Sequence, residues 1–518
     1  MKAFWAISKL TFKSAIRSRI FQFLLGLLIL CVIILPHTIS GDGTAYGFIQ
    51  VSLKYNLGVI AFILSLSSIW LGCFTMTRDI ENYQLHMVVT KPVSKAKIWL
   101  GKFTGVLIIN FLLLIISSVV VFFLIEWQFK RQTISEEAAS VLKKELKELV
   151  KKDPENINTA KYKESVKRLR EKSKIENEVL VGRRVYFPVR GDLNQLVREK
   201  FESILKNLPE PEKAKIQNAS SEEKNKMLKE LRKQIKASFG EVKPGPDNEK
   251  IWIYEGIPQK LNVPLYLRYR VYVGKVSSKD QRETRGLWAL ELPVIKQTAQ
   301  KASETKDKDK KPEPVRMMVP RTPYPEGIMC GIFNEFRLPS GSVSPKGEVK
   351  LGFTNFDPGM KTLHFQTSDG PKLLVKVTGF FENYCRAVFI IMIRLFILTG
   401  LACAAGAVLS MPTAVFMVVS YILLGSFASF LVGSSAAIDP QTAEFMDAFA
   451  FYLSKILLFL IIPMQNFEVS SFISSGELIE FSLIGKIFLN YFILKTMPIF
   501  LLGIWLYWRR EMGLVIRK

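Results

Sequence analysis

Residues 78–102, "RDIENYQLHMVVTKPVSKAKIWLGK", decide how the chain reads. They lie between two runs apolar enough to cross a bilayer, 57–76 and 105–127. A segment that only joined two spans could be any polar loop. Here Asp79 and Glu81 open a short helix, where negative charge suits the free N–H groups of a first turn. Ile80, Tyr83 and Met87 follow at i, i+3 and i+7, along one face. Pro92 stops the helix, because the residue before a proline is pushed out of helical angles. Ser94 stands where it can cap the next helix, which passes through Ile98 and Trp99 into the third span. Lys91, Lys95, Lys97 and Lys102 are expected to reach lipid headgroups. On these grounds alone two readings are equal. The apolar-aromatic face docks on a soluble partner, or the helix lies on lipid.

Working outward, the chain has 518 residues, of which 49% are hydrophobic. Its apolar residues gather toward both ends in blocks of ~17–25, the length that crosses ~30 Å of hydrocarbon. Six spans are expected, at 20–36, 57–76, 105–127, 387–409, 415–432 and 485–508. A further apolar stretch, 449–462, is short for a span and reads as a re-entrant or interfacial helix. The first segment is long, basic and amphipathic, and does not read as a removable signal peptide. Short basic flanks mark the cytoplasmic side. The flanks Lys2 to Arg19, Arg78 to Lys97 and Arg509 to Lys518 then share that side. Residues 128–382 fall outside. The formal charge of +25 does not point to nucleic acid, because it sits beside spans and in helices of alternating sign.

Four regions follow: 1–127, 128–250, 251–382 and 383–518. In 128–250 apolar stripes such as Val141, Leu142, Leu146, Leu149 and Val150 predict a helical arm. From about Ile251 the period becomes two. "LYLRYRVYV" sends Leu265, Leu267, Tyr269, Val271 and Val273 to one face, as a half-buried strand does. "EVKLGFTNF" is another strand. "TLHFQTSDGPKLLVKV" predicts a hairpin turning at Asp369-Gly370, and "QKASETKDKDKKPEPVR" a charged loop. The expected fold is a polytopic α-helical membrane protein. It carries an α+β domain, a helical arm plus a β-sandwich, between its third and fourth spans.

The chemistry of a nucleotide hydrolase is missing. No glycine loop ends in Gly-Lys-Ser or Gly-Lys-Thr. Three histidines, His37, His86 and His364, are too dispersed for a histidine-based zinc site. His364 reads as an ordinary strand residue. The five cysteines form neither a disulfide framework nor a CxxC site. No catalytic, cofactor or metal residue is expected.

Several stretches resemble the permease subunits of ABC-2 type (type V fold) transporters. The pattern Arg78-Asp79, Glu81, Thr90-Lys91-Pro92-Val93, Lys95, Ile98-Trp99 and Gly101-Lys102 is similar to their coupling-helix region. "FWAISKLTFKSAIRSR" resembles their elbow helix. "FYLSKILLFLIIPMQNFEV" resembles the external half-helix before the last span, and "YWRREMG" the basic stop after it. The likeness covers about half the chain, all of it membrane part, and many members lack the insert. It implies a bacterial cytoplasmic membrane and an assembly of two permeases, homodimer or heterodimer, with two ATPase subunits that hold ATP and Mg. Asp79, Ile80, Glu81, Tyr83, Met87, Lys91 and Pro92 would then couple to the ATPase.

Within the spans, Arg394 is the candidate for a translocation path, since charge at depth faces a bundle interior or a wet cavity. The alternatives are snorkelling toward headgroups or a structural pair with Glu382 or Glu468. Lys495 also falls inside a span. Three function classes remain. The first is a permease of an ATP-driven exporter or mechanical machine. The second is a membrane-anchored adaptor whose outer domain binds an envelope protein or polymer. The third is a membrane enzyme with its site in the insert.

Overall fold

A computed structural model describes residues 2–38, 44–81, 93–135, 137–142, 144, 160–189, 191, 193–207, 209, 221–259, 263–273, 283–294, 315–321, 327–339, 341–366, 370–435 and 445–509. Two compact units divide the chain. One holds 1–182, 378–440 and 445–518, and the other 183–377 and 441–444.

The first unit is helical. α1 (Lys2–Ile16) and α2 (Arg19–Thr38) meet at a bend of 68°. α3 (Ala45–Glu81) and α4 (Lys95–Gln132) have 37 and 38 residues. At 1.5 Å per residue each is ~55 Å long, so both outrun the hydrocarbon at which the apolar runs 57–76 and 105–127 stop. Helices α5 (Ala160–Lys174), α6 (Leu193–Asn207) and α7 (Ser221–Ser238) follow, only the first of them in this unit. α5 runs into a π turn, where Ile175 and Val179 are fully buried in the same cluster as Ile49 and Leu53 of α3. α8 (Phe380–Val408) lies along α3. The small residues of "GLACAAGAVLS" are what allow it. A Cβ on Gly406 would come 2.9 Å from the Cys73 carbonyl oxygen, so any larger residue pushes the helices apart.

The last third departs from the sequence reading. The expected span 415–432 is not one helix, because α9 (Met411–Ser426) ends before a turn at Phe427 and α10 (Ala428–Ser435) follows. α9 has 16 residues, short of the ~20 a span needs. Conversely, 449–462 is not the whole of its apolar stretch. α11 (Phe445–Leu460) breaks at Pro463, which lacks an N–H and disfavours helix before it. The chain then resumes as a 3₁₀ turn and α12 (Ser470–Ser474), so Ala448–Ser474 together is long and apolar enough to cross. α13 (Phe481–Lys486) and α14 (Met497–Arg509) are joined by a π segment, Ile487–Thr496. Among the described residues five helices are long and apolar enough to span, or six if α1 and α2 count as one bent span. The chain is thus built as a membrane-embedded polytopic protein with a separate β-rich region.

That region is two main sheets sharing one aromatic core, plus a two-stranded pair of β5 (Glu283–Thr284) and β8 (Ile328–Met329). β4 (Leu265–Val273) is central to the first. It pairs on one edge with β9 (Phe333–Arg337), and on the other with β11 (Leu363–Phe365) and β12 (Lys372–Gly379). β1 (Val181–Tyr186) and β2 (Glu241–Val242) complete it. β1 therefore interrupts the helical stretch expected over 128–250. The second sheet runs β3 (Lys250–Tyr254), β10 (Val349–Asn355), β6 (Gly286–Val294) and β7 (Val315–Arg321). Arg268 and Tyr272 on the second face of β4 are buried, so the strand is not half-buried as read; on the first face Leu265, Leu267, Tyr269, Val271 and Val273 are all buried. They face Trp288, Trp252 and Phe353, with Tyr269 and Trp288 rings 4.9 Å apart. The charged stretch from Gln300 lies outside the described residues except for its end, which opens β7.

The predicted hairpin at Asp369-Gly370 does not form. Phe365 stands opposite Val271 and Lys372 opposite Arg268, so β11 and β12 continue along one edge of β4. Between these two pairs β4 advances only by Tyr269 and Arg270. Alternation around a turn signal suits a hairpin and an interrupted strand equally. The tie that selects the second is non-local, the Tyr254 hydroxyl donating to the Pro371 carbonyl at 2.9 Å. His364 sits in β11 between Tyr272 and Glu241, as a strand residue should.

Trp288→Ala empties the centre of this core and should cost about 3–5 kcal/mol, seen as faster hydrogen exchange in β4 and β6. Burial also holds the Tyr269 phenol well above its ordinary value of 10.0, with a smaller opposing contact from Trp288. The unfolded phenol ionises near 10 while the folded one stays protonated. Stability should therefore fall as pH rises past about 10. Tyr269→Phe should flatten that fall in melting midpoints taken above and below it.

Candidate functional site

The predicted coupling residues fall at the edge of the described chain. Asp79, Ile80 and Glu81 form the last turn of α3. Tyr83, Met87, Lys91 and Pro92 lie outside the described residues. What the structure defines is the flank of this segment and what holds it.

Ser94 is the N-cap of α4, with extended backbone (ψ 142°), but its hydroxyl makes no capping bond. Lys95 Nζ donates to the Trp508 carbonyl at 3.1 Å, placing a cation on the last carbonyls of α14, where the helix dipole favours it. Lys102 corrects the headgroup expectation. It is buried (4% exposed), and its ammonium donates to the Thr75 carbonyl at 3.1 Å. Its position two turns inside α4 puts it against α3 rather than at the helix rim. Ser8 of α1 donates to the Gly101 carbonyl at 2.8 Å. Gly105 allows this closeness, since a Cβ there would meet Thr11 at 2.7 Å.

One helical turn into α4, Trp99 is fully buried. Its ring lies 4.6 Å from Phe500 of α14 and 5.7 Å from Phe103. Phe103 touches Phe396 of α8 at 5.0 Å, and Phe396 touches Phe492 at 4.6 Å. This aromatic chain joins the start of α4 to α8 and to the last span. It was not legible beforehand, because the rings are scattered over about 400 residues of sequence.

The charges within the spans separate into two kinds. Arg386 is structural. It pairs with Glu382, donates to the Ile479 carbonyl at 3.0 Å and stacks over Phe481 at 4.0 Å. Asn383 beside it exchanges hydrogen bonds with Glu477 O and Ile479 N, each at 2.9 Å. Lys495 donates to the Leu458 and Ile461 carbonyls at 2.7 and 2.6 Å. It thereby satisfies the groups that the break in α11 leaves open. The Tyr421 hydroxyl does the same at that break, donating to Leu460 O and accepting from Ile462 N.

Arg394 differs. It lies midway along α8, fourteen residues from either end, too deep for its side chain to reach either helix end. Glu382 is taken by Arg386, which removes one expected partner. Among the described residues Arg394 has neither a hydrogen bond nor an ion pair, and its Nε is buried without a partner. It lines a cavity of about 240 Å³ whose wall also holds Glu468, close enough to act on it electrostatically.

Comparison with protein-family models, with curated proteins and with solved structures gives no match.

Lys102→Met keeps the stem and removes the charge, leaving Thr75 O without that donor. A loss of about 1–3 kcal/mol is expected, with unchanged dependence of stability on anionic lipid. Thermal melting in bilayers with and without anionic lipid measures both.

Proposed function

We propose that the chain is the permease subunit of an ATP-driven transporter of the ABC-2 kind, moving a solute or transmitting force across a bacterial cytoplasmic membrane. A separate ATPase subunit holds ATP and Mg and docks on residues 79–92. Two permease copies and two ATPases make the complex. Both termini and the docking segment lie in the cytoplasm, and residues 128–382 lie outside.

The observation that carries this reading is the set of ties at the exit of the docking segment. α3 enters it and α4 leaves it as unbroken helices, and the first turns of α4 are tied to α1, α3 and α14. A push that reaches these first turns acts on tied helices rather than on α4 alone. It moves packed helices between discrete arrangements, as switching bundles do. The Trp99 aromatic chain passes that displacement to α8, and the chain runs from β12 into α8 without an intervening loop. A loop merely resting on lipid would not require these ties. The adaptor reading keeps one supporting observation, that the β-rich unit is compact by itself.

A photo-crosslinker attached at Tyr83→Cys should capture an ATPase subunit from intact cells. Capture of lipid alone would end the coupling assignment. Deleting residues 80–90 should abolish activity of the complex while leaving the chain in the membrane. An adaptor would work unchanged. Trp99→Ala should retain ATPase binding yet lose most of the coupling, read as ATP hydrolysis that no longer responds to the permease.

A further inference from the structure

The Arg394 cavity combines features that together define a ligand. Its cation sits at mid-helix depth, where charge is costly, and its Nε lacks a hydrogen-bond partner. One wall is apolar, with Leu57, Ala61 and Ile391. The lining also holds polar groups, Gln465 and the exposed carboxylate of Glu468, on the 3₁₀ turn and the segment after it. At about 240 Å³ the space falls just below the ~300 Å³ at which small-molecule pockets begin. It suits a headgroup rather than a whole amphiphile. Phe62, also in the lining, is 60% exposed on α3.

We infer that this cavity binds the zwitterionic headgroup of a phospho-amine amphiphile, its phosphate on Arg394 and its ammonium on Glu468. A purely anionic headgroup would satisfy Arg394 but meet Glu468 as a like charge. A purely cationic one would do the reverse. A headgroup with both charges satisfies both side chains, and its phosphate can accept from the guanidinium as a charge-assisted pair. Tail burial supplies the rest of the affinity. That the ligand belongs to what the complex moves rests on the permease reading, whereas binding itself does not.

The test titrates delipidated full-length protein in detergent with phosphatidylethanolamine, phosphatidylglycerol and tail-free phosphoethanolamine. Bound copies are counted by native mass spectrometry. Phosphatidylethanolamine is expected to bind once per chain, about tenfold tighter than phosphatidylglycerol. Arg394→Gln should weaken phosphatidylethanolamine tenfold or more, and Arg394→Lys should restore part of the loss. Glu468→Gln should erase the preference between the two lipids while keeping the melting midpoint. Wild-type binding by Arg394→Gln overturns the site. An unchanged lipid preference in Glu468→Gln overturns the zwitterion. Phosphoethanolamine competing as well as the lipid shows a free phosphate site and overturns the amphiphile. Failure of binding while the ATPase is still captured at Tyr83→Cys would sink the headgroup and leave the permease reading standing.

Discussion

Hydrocarbon offers no water to a buried cation, and that constraint organises the helical unit. Lys95, Lys102, Arg386 and Lys495 each end on a backbone carbonyl, in another helix, at a break in one or, for Arg386, in the connection between α12 and α13. Open carbonyls at helix ends and breaks need donors, and cations inside a bundle need acceptors. The chain meets both demands with the same contacts. These bonds act as cross-ties, so helices that share them shift together. Arg394 has no such carbonyl among the described residues and looks instead into a cavity. That contrast sets it apart from the cations whose partners are carbonyls.

The cross-ties also explain why the segment after α3 can serve as a handle. Its exit is anchored at Lys95 to the end of the last span, at Gly101 to α1 and at Lys102 to α3. Trp99 then fills the junction of α4 and α14, with Phe103 and Phe396 extending the contact to α8. A close-packed junction transmits displacement because its interior has little room to relax. The β-rich unit follows a similar logic in a different solvent. Its strength lies in rings from two sheets meeting at Tyr269 and Trp288, with β4 holding partners on both edges.

How much was legible depended on whether a pattern was local. Apolar length announced α3, α4 and α8, and period two announced β4, β3 and β10. Where the sequence was ambiguous, tertiary contacts chose. The segment 363–375 has the pattern of a hairpin, but both halves found β4, and Tyr254 holds Pro371 just before the second half. Lys102 looked like one more basic residue in a basic flank until α3 proved long enough to cover it. In the last third, hydropathy placed a span at 415–432, whereas the helix turns at Phe427 and the longer apolar path runs through Pro463. No hydropathy window shows that Gln465 donates to Ser426 O, or that Lys495 reaches the break.

The sequence by itself determined the solvent of each segment. Long apolar runs demand hydrocarbon, alternating runs demand a sheet, and Arg394 amid apolar neighbours demands an explanation. Those are properties of single elements, set by side-chain transfer energies and by the periods of helix and strand. Only the tertiary structure decided which charge serves which role. Arg386 and Arg394 lie eight residues apart on one helix and are chemically identical. One meets Glu382 and a carbonyl, the other a cavity, and that difference comes from distant segments of chain brought against α8.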